Sequence, residues 1–167
     1  MPETFRAQCA CGRVVFEATG PRLASIACYC DDCQAAAKQF EALPGGHSGR
    51  LADGSTISTL YRKDRVRCVQ GAELLRGHKL RPTSPATRQV TICCNSNMTT
   101  LFENWLPITA LRTHAQSGQP VQPELCIYDR YAPDATMLLH TAPRHPGLPS
   151  ELKLKVAAAA VTRALRL

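Results

Sequence analysis

Three cysteines at Cys-x-Cys-x-x-Cys spacing, in Cys28-Tyr29-Cys30-Asp31-Asp32-Cys33, can turn their sulfurs toward one point. In a reducing compartment a thiolate cluster of this size points to a metal, and the expected metal is zinc. Zinc is tetrahedral, so three local ligands leave a fourth position for water, a substrate thiol or a distant residue. An open position belongs to a catalytic site, a closed one to a structural site. The other readings of these residues are a disulfide with a spare thiol, or buried cysteines serving as small hydrophobes.

A second group is split along the chain. Cys9 and Cys11, in Cys9-Ala10-Cys11-Gly12, lie between Thr4–Gln8 and the β-prone Arg13–Ala18. This is a zinc-knuckle arrangement, with thiols on a tight turn and Gly12 free to adopt a backbone conformation other residues resist. Two thiols do not make a site, so the pair needs partners downstream, and Cys93-Cys94 follows the apolar run before a turn rich in Asn and Ser. Adjacent residues on a strand point to opposite faces. Cys94, nearer the turn, is therefore the first choice, and Cys93 is the nearby substitute for a missing fourth ligand. His47, in a Gly- and Pro-rich loop, is read as solvated, and Cys68 and Cys126 as core thiols.

Positioning these groups requires mostly strands. Thr56–Tyr61, Val66–Val69 and Glu73–Leu75, punctuated by Gly54, Gly71 and Gly77, predict a meander of antiparallel strands. Further strands are expected within Thr87–Leu101, where one delivers Cys93 and Cys94 to a turn, at Leu125–Tyr128 and at Met137–His140, with Asn104–Ile108 packed in the core and Gln116–Pro123 as a loop. A short helix is expected from Asp31 to Glu41, capped by Asp31 or Asp32. The closing segment after Pro149-Ser150 predicts a helix with Leu152, Val156, Ala159 and Arg163 on one face. Docking on the chain's own sheet is the first reading of that helix and a homodimer contact the second. The domain division is 1–147 for a zinc-binding β domain and 148–167 for the C-terminal helix packed on it.

With 167 residues and 44% hydrophobic content, the chain can bury one core. No apolar run has the length of a membrane span, and the N-terminus lacks a leader pattern, so the expected location is the cytoplasm, where cysteines stay reduced. The formal charge of +7 invites anionic partners. Two filled zinc sites with six or seven thiolates would lower it by about two or three units. The basic residues are scattered and aromatics make up only 5%, which argues against a nucleic-acid stacking platform.

The layout from Cys9 to about Leu101 resembles the glutathione-dependent formaldehyde-activating (GFA) enzymes, whose domain also occurs in centromere protein V. The family's Cys-x-Cys-Gly followed by a strand is matched by Cys9, Cys11 and Gly12 with Val14–Glu17, and its Cys-x-Cys-x-x-Cys by Cys28, Cys30 and Cys33. Its third motif, Cys-x-x-Cys-Gly-Thr, is not kept. With Cys94 as the first cysteine, Asn97 and Met98 replace the second cysteine and the glycine; with Cys94 as the second, Thr91 replaces the first.

The resemblance implies a mainly β, β-tent zinc fold of antiparallel sheets, pinned by a structural zinc on the Cys9/Cys11/Cys94 side. It implies a second, open zinc on Cys28, Cys30 and Cys33, hence one or two zinc ions per chain. It further implies carbon–sulfur lyase or synthase chemistry on a glutathione or other thiol adduct, with basic side chains such as Arg50, Arg62 or Lys63 holding carboxylates. The alternative is a non-enzymatic zinc domain in a structural or protein-interaction role. A fourth protein ligand closing on Cys28, Cys30 and Cys33 would favour that alternative.

Overall fold

The computed structural model describes residues 4–102, 106–112, 121–134, 136 and 138–165. The first hairpin explains how the knuckle is held. Strands β1 (Thr4–Gln8) and β2 (Val15–Thr19) pair antiparallel from Thr4↔Thr19 to Gln8↔Val15, leaving Cys9–Val14 as the connection. Gly12 there has φ +76°, a left-handed conformation that costs glycine nothing.

After β3 (Ala24–Cys28) the chain enters helix α1 (Asp31–Glu41), which buries Ala36, Ala37 and Phe40. The helix has the predicted bounds but a different cap. Cys30 occupies the cap position, where its carbonyl accepts from the N–H groups of Cys33 and Gln34, and neither Asp31 nor Asp32 caps it. Both aspartates lie inside the first turn, which the helix dipole favours, and the Asp32 carboxylate instead receives Arg81 at 2.9 Å.

The strands that follow are β4 (Thr56–Arg62), β5 (Val66–Gln70), β6 (Leu75–His78), β7 (Ala86–Thr91), β8 (Asn97–Phe102), β9 (Ile108–Arg112), β10 (Leu125–Ile127) and β11 (Arg144–His145). They do not form the expected meander. β5 leaves to complete a three-stranded sheet in the order β1-β2-β5, whereas β4 and β6 belong to an eight-stranded sheet, β11-β10-β3-β4-β9-β8-β7-β6. Short 3-10 turns at Lys63–Arg65 and Ala72–Leu74 make the two crossings, and the second displaces the expected strand at Glu73. Nor is pairing antiparallel throughout, because β10 runs parallel to both β3 and β11. Leu138–His140 form no strand; Met137, like Asn104, Trp105, His114 and Gln116–Pro120, lies outside the described residues.

The centre of the large sheet is covered on both faces, so its strands lack the polar-out alternation of a solvated sheet. Tyr61, Met98 and Leu111 meet Ala7, Val14 and Phe16 of the small sheet. On the opposite face Ile26, Leu60, Ile108, Ala110 and Ile127 meet Leu152 of helix α2 (Ser150–Ala164). Of the residues assigned to that helix's inner face, Leu152 and Ala159 are buried and Val156 half-buried, whereas Arg163 is exposed. Arg62 reaches Thr162 at 3.1 Å and ties the helix to the end of β4. No described helix is long and apolar enough to cross a membrane.

Candidate metal centres and the adjoining cavity

The β1–β2 turn brings Cys9 and Cys11 to a sulfur separation of 3.5 Å. Cys93 closes on them at 3.9 Å and 3.4 Å, and Cys94 lies 3.8 Å from Cys93. All four sulfurs fall within 4.8 Å of one another. Four thiolates at the usual zinc–sulfur length of about 2.3 Å stand roughly 3.8 Å apart in a tetrahedron. The donor set and the spacing fit a zinc ion.

Cys93 and Cys94 both reach this point because neither is on a strand. β7 stops at Thr91, and residues 92–94 form a turn. It is closed by Asn95 N–H to the Thr91 carbonyl at 2.9 Å, with Asn95 itself at φ +52°. The β7–β8 register also slips by one, passing from Gln89↔Thr99 to Val90↔Asn97 and leaving Met98 without a partner. Opposite-face alternation applies to strands, so preferring Cys94 over Cys93 on that ground does not hold here. Ser96 locks the two turns together. Its hydroxyl accepts from the Ala10 N–H at 3.1 Å and stands 3.2 Å from the Cys94 sulfur. Burial pushes Cys94 up, but hydrogen bonds from Ser96 and Thr91 outweigh it and bring the thiol down to about 5. The backbone and guanidinium of Arg13 hold Cys11 below its ordinary value. Both effects favour the thiolate that metal binding needs.

The second cluster is built where β3 runs into α1. Cys28 ends the strand, Cys30 caps the helix and Cys33 completes its first turn, so the three sulfurs meet within 4.8 Å. Among the described residues no fourth Cys, His, Asp or Glu ligand atom joins them. Contacts with the Cys28 and Cys30 thiols, and behind them the Arg112 guanidinium, hold Cys33 well below the ordinary thiol range, while Cys28 is pushed well above it by its two thiol neighbours and by burial.

This cluster opens on a cavity of about 730 Å³ between the large sheet and α2. Two arginines stand at the cluster end: Arg112 reaches the Cys33 sulfur at 3.9 Å, and Arg88 donates to the Asp32 carbonyl at 3.1 Å. Both come from the cavity-facing side of the sheet, Arg88 pairing with Thr100 and Arg112 ending β9 beside Ser58. Sequence reasoning did not single them out. The available signal was an arginine in each of two strands with apolar neighbours, Arg88 within Ala86–Thr91 and Arg112 at the end of Ile108–Arg112.

The basic residues that were singled out do not line this cavity. Arg50 pairs with Glu41 at 2.6 Å, Arg62 with Asp64 at 2.6 Å, and Lys63 donates to the Phe102 carbonyl. His47 is exposed and outside both thiol clusters, bonded through its backbone to Asn95 and Asn97. Cys126 is buried beside Ala27 and Tyr29, and Cys68 is half-buried against the small-sheet core. Beneath the sheet, Tyr29 and Ser55 donate to the buried Asp53 carboxylate, each at 2.7 Å, and His140 stands 3.3 Å from Ser55. Ser55 is fully buried, which makes this a structural network and not a nucleophile with its base.

Residues 4–43 match the family described as "Glutathione-dependent formaldehyde-activating enzyme". Over that stretch the chain is GFA-like. The matched segment holds Cys9, Cys11, Cys28, Cys30 and Cys33, whereas Cys93, Cys94 and the cavity arginines lie beyond it. Among solved structures the GFA-like chain is similar to a crystal structure of a Rhodobacter sphaeroides protein. The two share 16% identity at a TM-score of 0.50, over 84% of this chain and 99% of that one. That likeness concerns the fold. No curated protein matches the chain.

Proposed function

We propose that this GFA-like protein is a zinc-dependent carbon–sulfur lyase acting on a thiol adduct, with Cys28, Cys30 and Cys33 holding the working metal. The observation that carries the reading is the contrast between the two clusters. Cys9, Cys11, Cys93 and Cys94 form a complete tetrahedral donor set, while Cys28, Cys30 and Cys33 lack a fourth protein ligand among the described residues and face a cavity. Four ligands suit a structural metal, and three with an open position suit a catalytic one.

Bound at the three-thiol site, zinc would supply Lewis acidity and stabilise a thiolate near neutral pH. The chain's own residues supply the surroundings. Arg112, fixed by Thr56, Ser58 and Thr100 at 2.9, 2.7 and 3.3 Å, holds positive charge beside Cys33, and the cavity walls are mainly apolar. The reaction is redox-neutral. In an adduct R–S–CH(OH)–R′ the carbon–sulfur bond breaks, its electron pair stays on sulfur, the hydroxyl proton leaves and the carbonyl forms; the thiol regains a proton.

The test is the exchange of a thiol with its formaldehyde adduct, followed by NMR. Wild type should accelerate exchange by at least tenfold over buffer. Cys30→Ser should abolish the acceleration while keeping the zinc of the four-thiol site. Equal rates with Cys30→Ser and wild type would refute the reading.

A further inference from the structure

The cavity beside Cys28, Cys30 and Cys33 is chemically two-ended. Its long walls are apolar, contributed by Ile26, Leu60, Ile108 and Ile127 from the sheet and by Leu152 and Val156 from α2. Its volume of about 730 Å³ lies in the ordinary range for enclosing a small ligand, roughly 300 to 1,000 Å³. The other end holds the thiols and two arginines, Arg88 and Arg112, each only 3% exposed.

Among the described residues neither arginine has a carboxylate partner, and their unmet hydrogen bonds differ. Arg112 is engaged through both terminal nitrogens and lacks a partner only at Nε. With zinc bound, its charge would be offset by the cluster, since three thiolates around a divalent ion carry one net negative charge. Arg88 stands at the same end of the cavity but bonds no thiol. Only its Nη2 is bonded, to the Asp32 carbonyl, and Nε and Nη1 have no partner. The Asp32 carboxylate that could have served it receives Arg81 instead, and Asp31 is exposed. A buried guanidinium with free N–H groups and no counter-charge is unfavourable unless an anion fills the space before it.

We propose that the cavity takes an amphiphilic carboxylate, an apolar-bodied acid whose anionic head meets Arg88 beside the thiol cluster and whose body lies between the sheet and α2. Glutathione fits this lining poorly. Its ammonium group and two peptide links would lie along walls made mainly of hydrocarbon, where unpaired polar groups are costly. The carboxylate site stands on the cavity and Arg88; that it narrows the substrate class to apolar thiol acids or their adducts rests on the open-metal reading of the three-thiol site.

Titration calorimetry on the zinc-loaded full chain tests it with four probes: octanoate, 1-octanol, glutathione and 2-mercaptooctanoate. Octanoate should bind at least tenfold more tightly than either 1-octanol or glutathione. Arg88→Gln should remove most of the octanoate preference over 1-octanol. Ala157→Trp, which fills the cavity from the exposed side of α2, should weaken octanoate and 1-octanol alike and keeps the test decisive if Arg88→Gln fails to fold. Octanoate binding no better than 1-octanol, or glutathione binding more tightly than both, would overturn the proposal. The fourth probe separates this proposal from the reading beneath it. If 2-mercaptooctanoate gains at least tenfold over octanoate and loses the gain in Cys30→Ser, both stand; if octanoate binds as expected and the thiol adds nothing, the carboxylate site stands and the open-metal reading falls.

Discussion

Asp53 shows how individual residues hold the ground beside the three-thiol cluster. Burial pushes its carboxyl up, but hydrogen bonds from Ser55, Tyr29 and the Leu139 N–H outweigh burial and hold it below the ordinary aspartate range. A carboxylate depressed in this way stabilises the fold above its unfolded pKa of about 3.9, and the contribution is lost as pH falls through the lower folded value. Wild type should therefore lose thermal stability more steeply than Asp53→Asn on acidification below about pH 5, which melting curves across that range would show. Equal slopes would remove Asp53 from the account. Tyr29→Phe deletes one charge-assisted bond to the same group and should cost about 1.5–3 kcal/mol in denaturant unfolding.

The same scale shows what could be read from sequence. Cys28, Cys30 and Cys33 were legible because their close spacing alone lets three sulfurs converge; that Cys30 and not an aspartate caps the helix was not. Cys93 was legible only as a substitute for a missing fourth ligand, because its convergence with Cys94 depends on a turn replacing the last strand residues and on a one-residue register slip. Arg88 and Arg112 were hidden for another reason. Along a strand an arginine looks like the solvent-facing partner of an apolar neighbour, and only the second layer on that face turns it inward.

At the scale of elements, helix α2 decides whether there is a cavity at all. Its buried Leu152 meets the sheet-side cluster, and Val156, Ala157 and Ala160 form the wall opposite the strands. Leu152→Ala should cost about 2–5 kcal/mol in unfolding free energy by leaving a void. It should also weaken any ligand of the cavity, measurable by the same titrations, while the four-thiol zinc is retained. If α2 were a detachable appendage, the substitution would change neither. The helix was legible from Pro149-Ser150 and its apolar spacing; its role as a wall was not, since spacing says which face is buried but not how closely it packs.

At the scale of the molecule, the two sheets are joined where the four thiols meet. The β1–β2 turn comes from the small sheet and the Cys93–Cys94 turn from the end of β7 in the large one. A metal there cross-links strands far apart in sequence, so its binding free energy becomes folding free energy. Stripping zinc with a strong chelator should lower the melting temperature sharply, whereas loss of the three-thiol metal alone, in Cys30→Ser, should lower it far less. The mainly β class and the two helices were legible. The division into a three-stranded and an eight-stranded sheet was not, because β4, β5 and β6 are consecutive in sequence yet separate in space, and no local pattern reports which strand an edge will choose.

Zinc per chain, measured by elemental analysis on protein purified without chelators or added metal, tests the central claim most directly. Wild type should carry two zinc ions, with one lost in Cys30→Ser and one lost in Cys93→Ser. A single zinc that survives Cys30→Ser would leave the three-thiol cluster unmetallated and contradict the two-centre account.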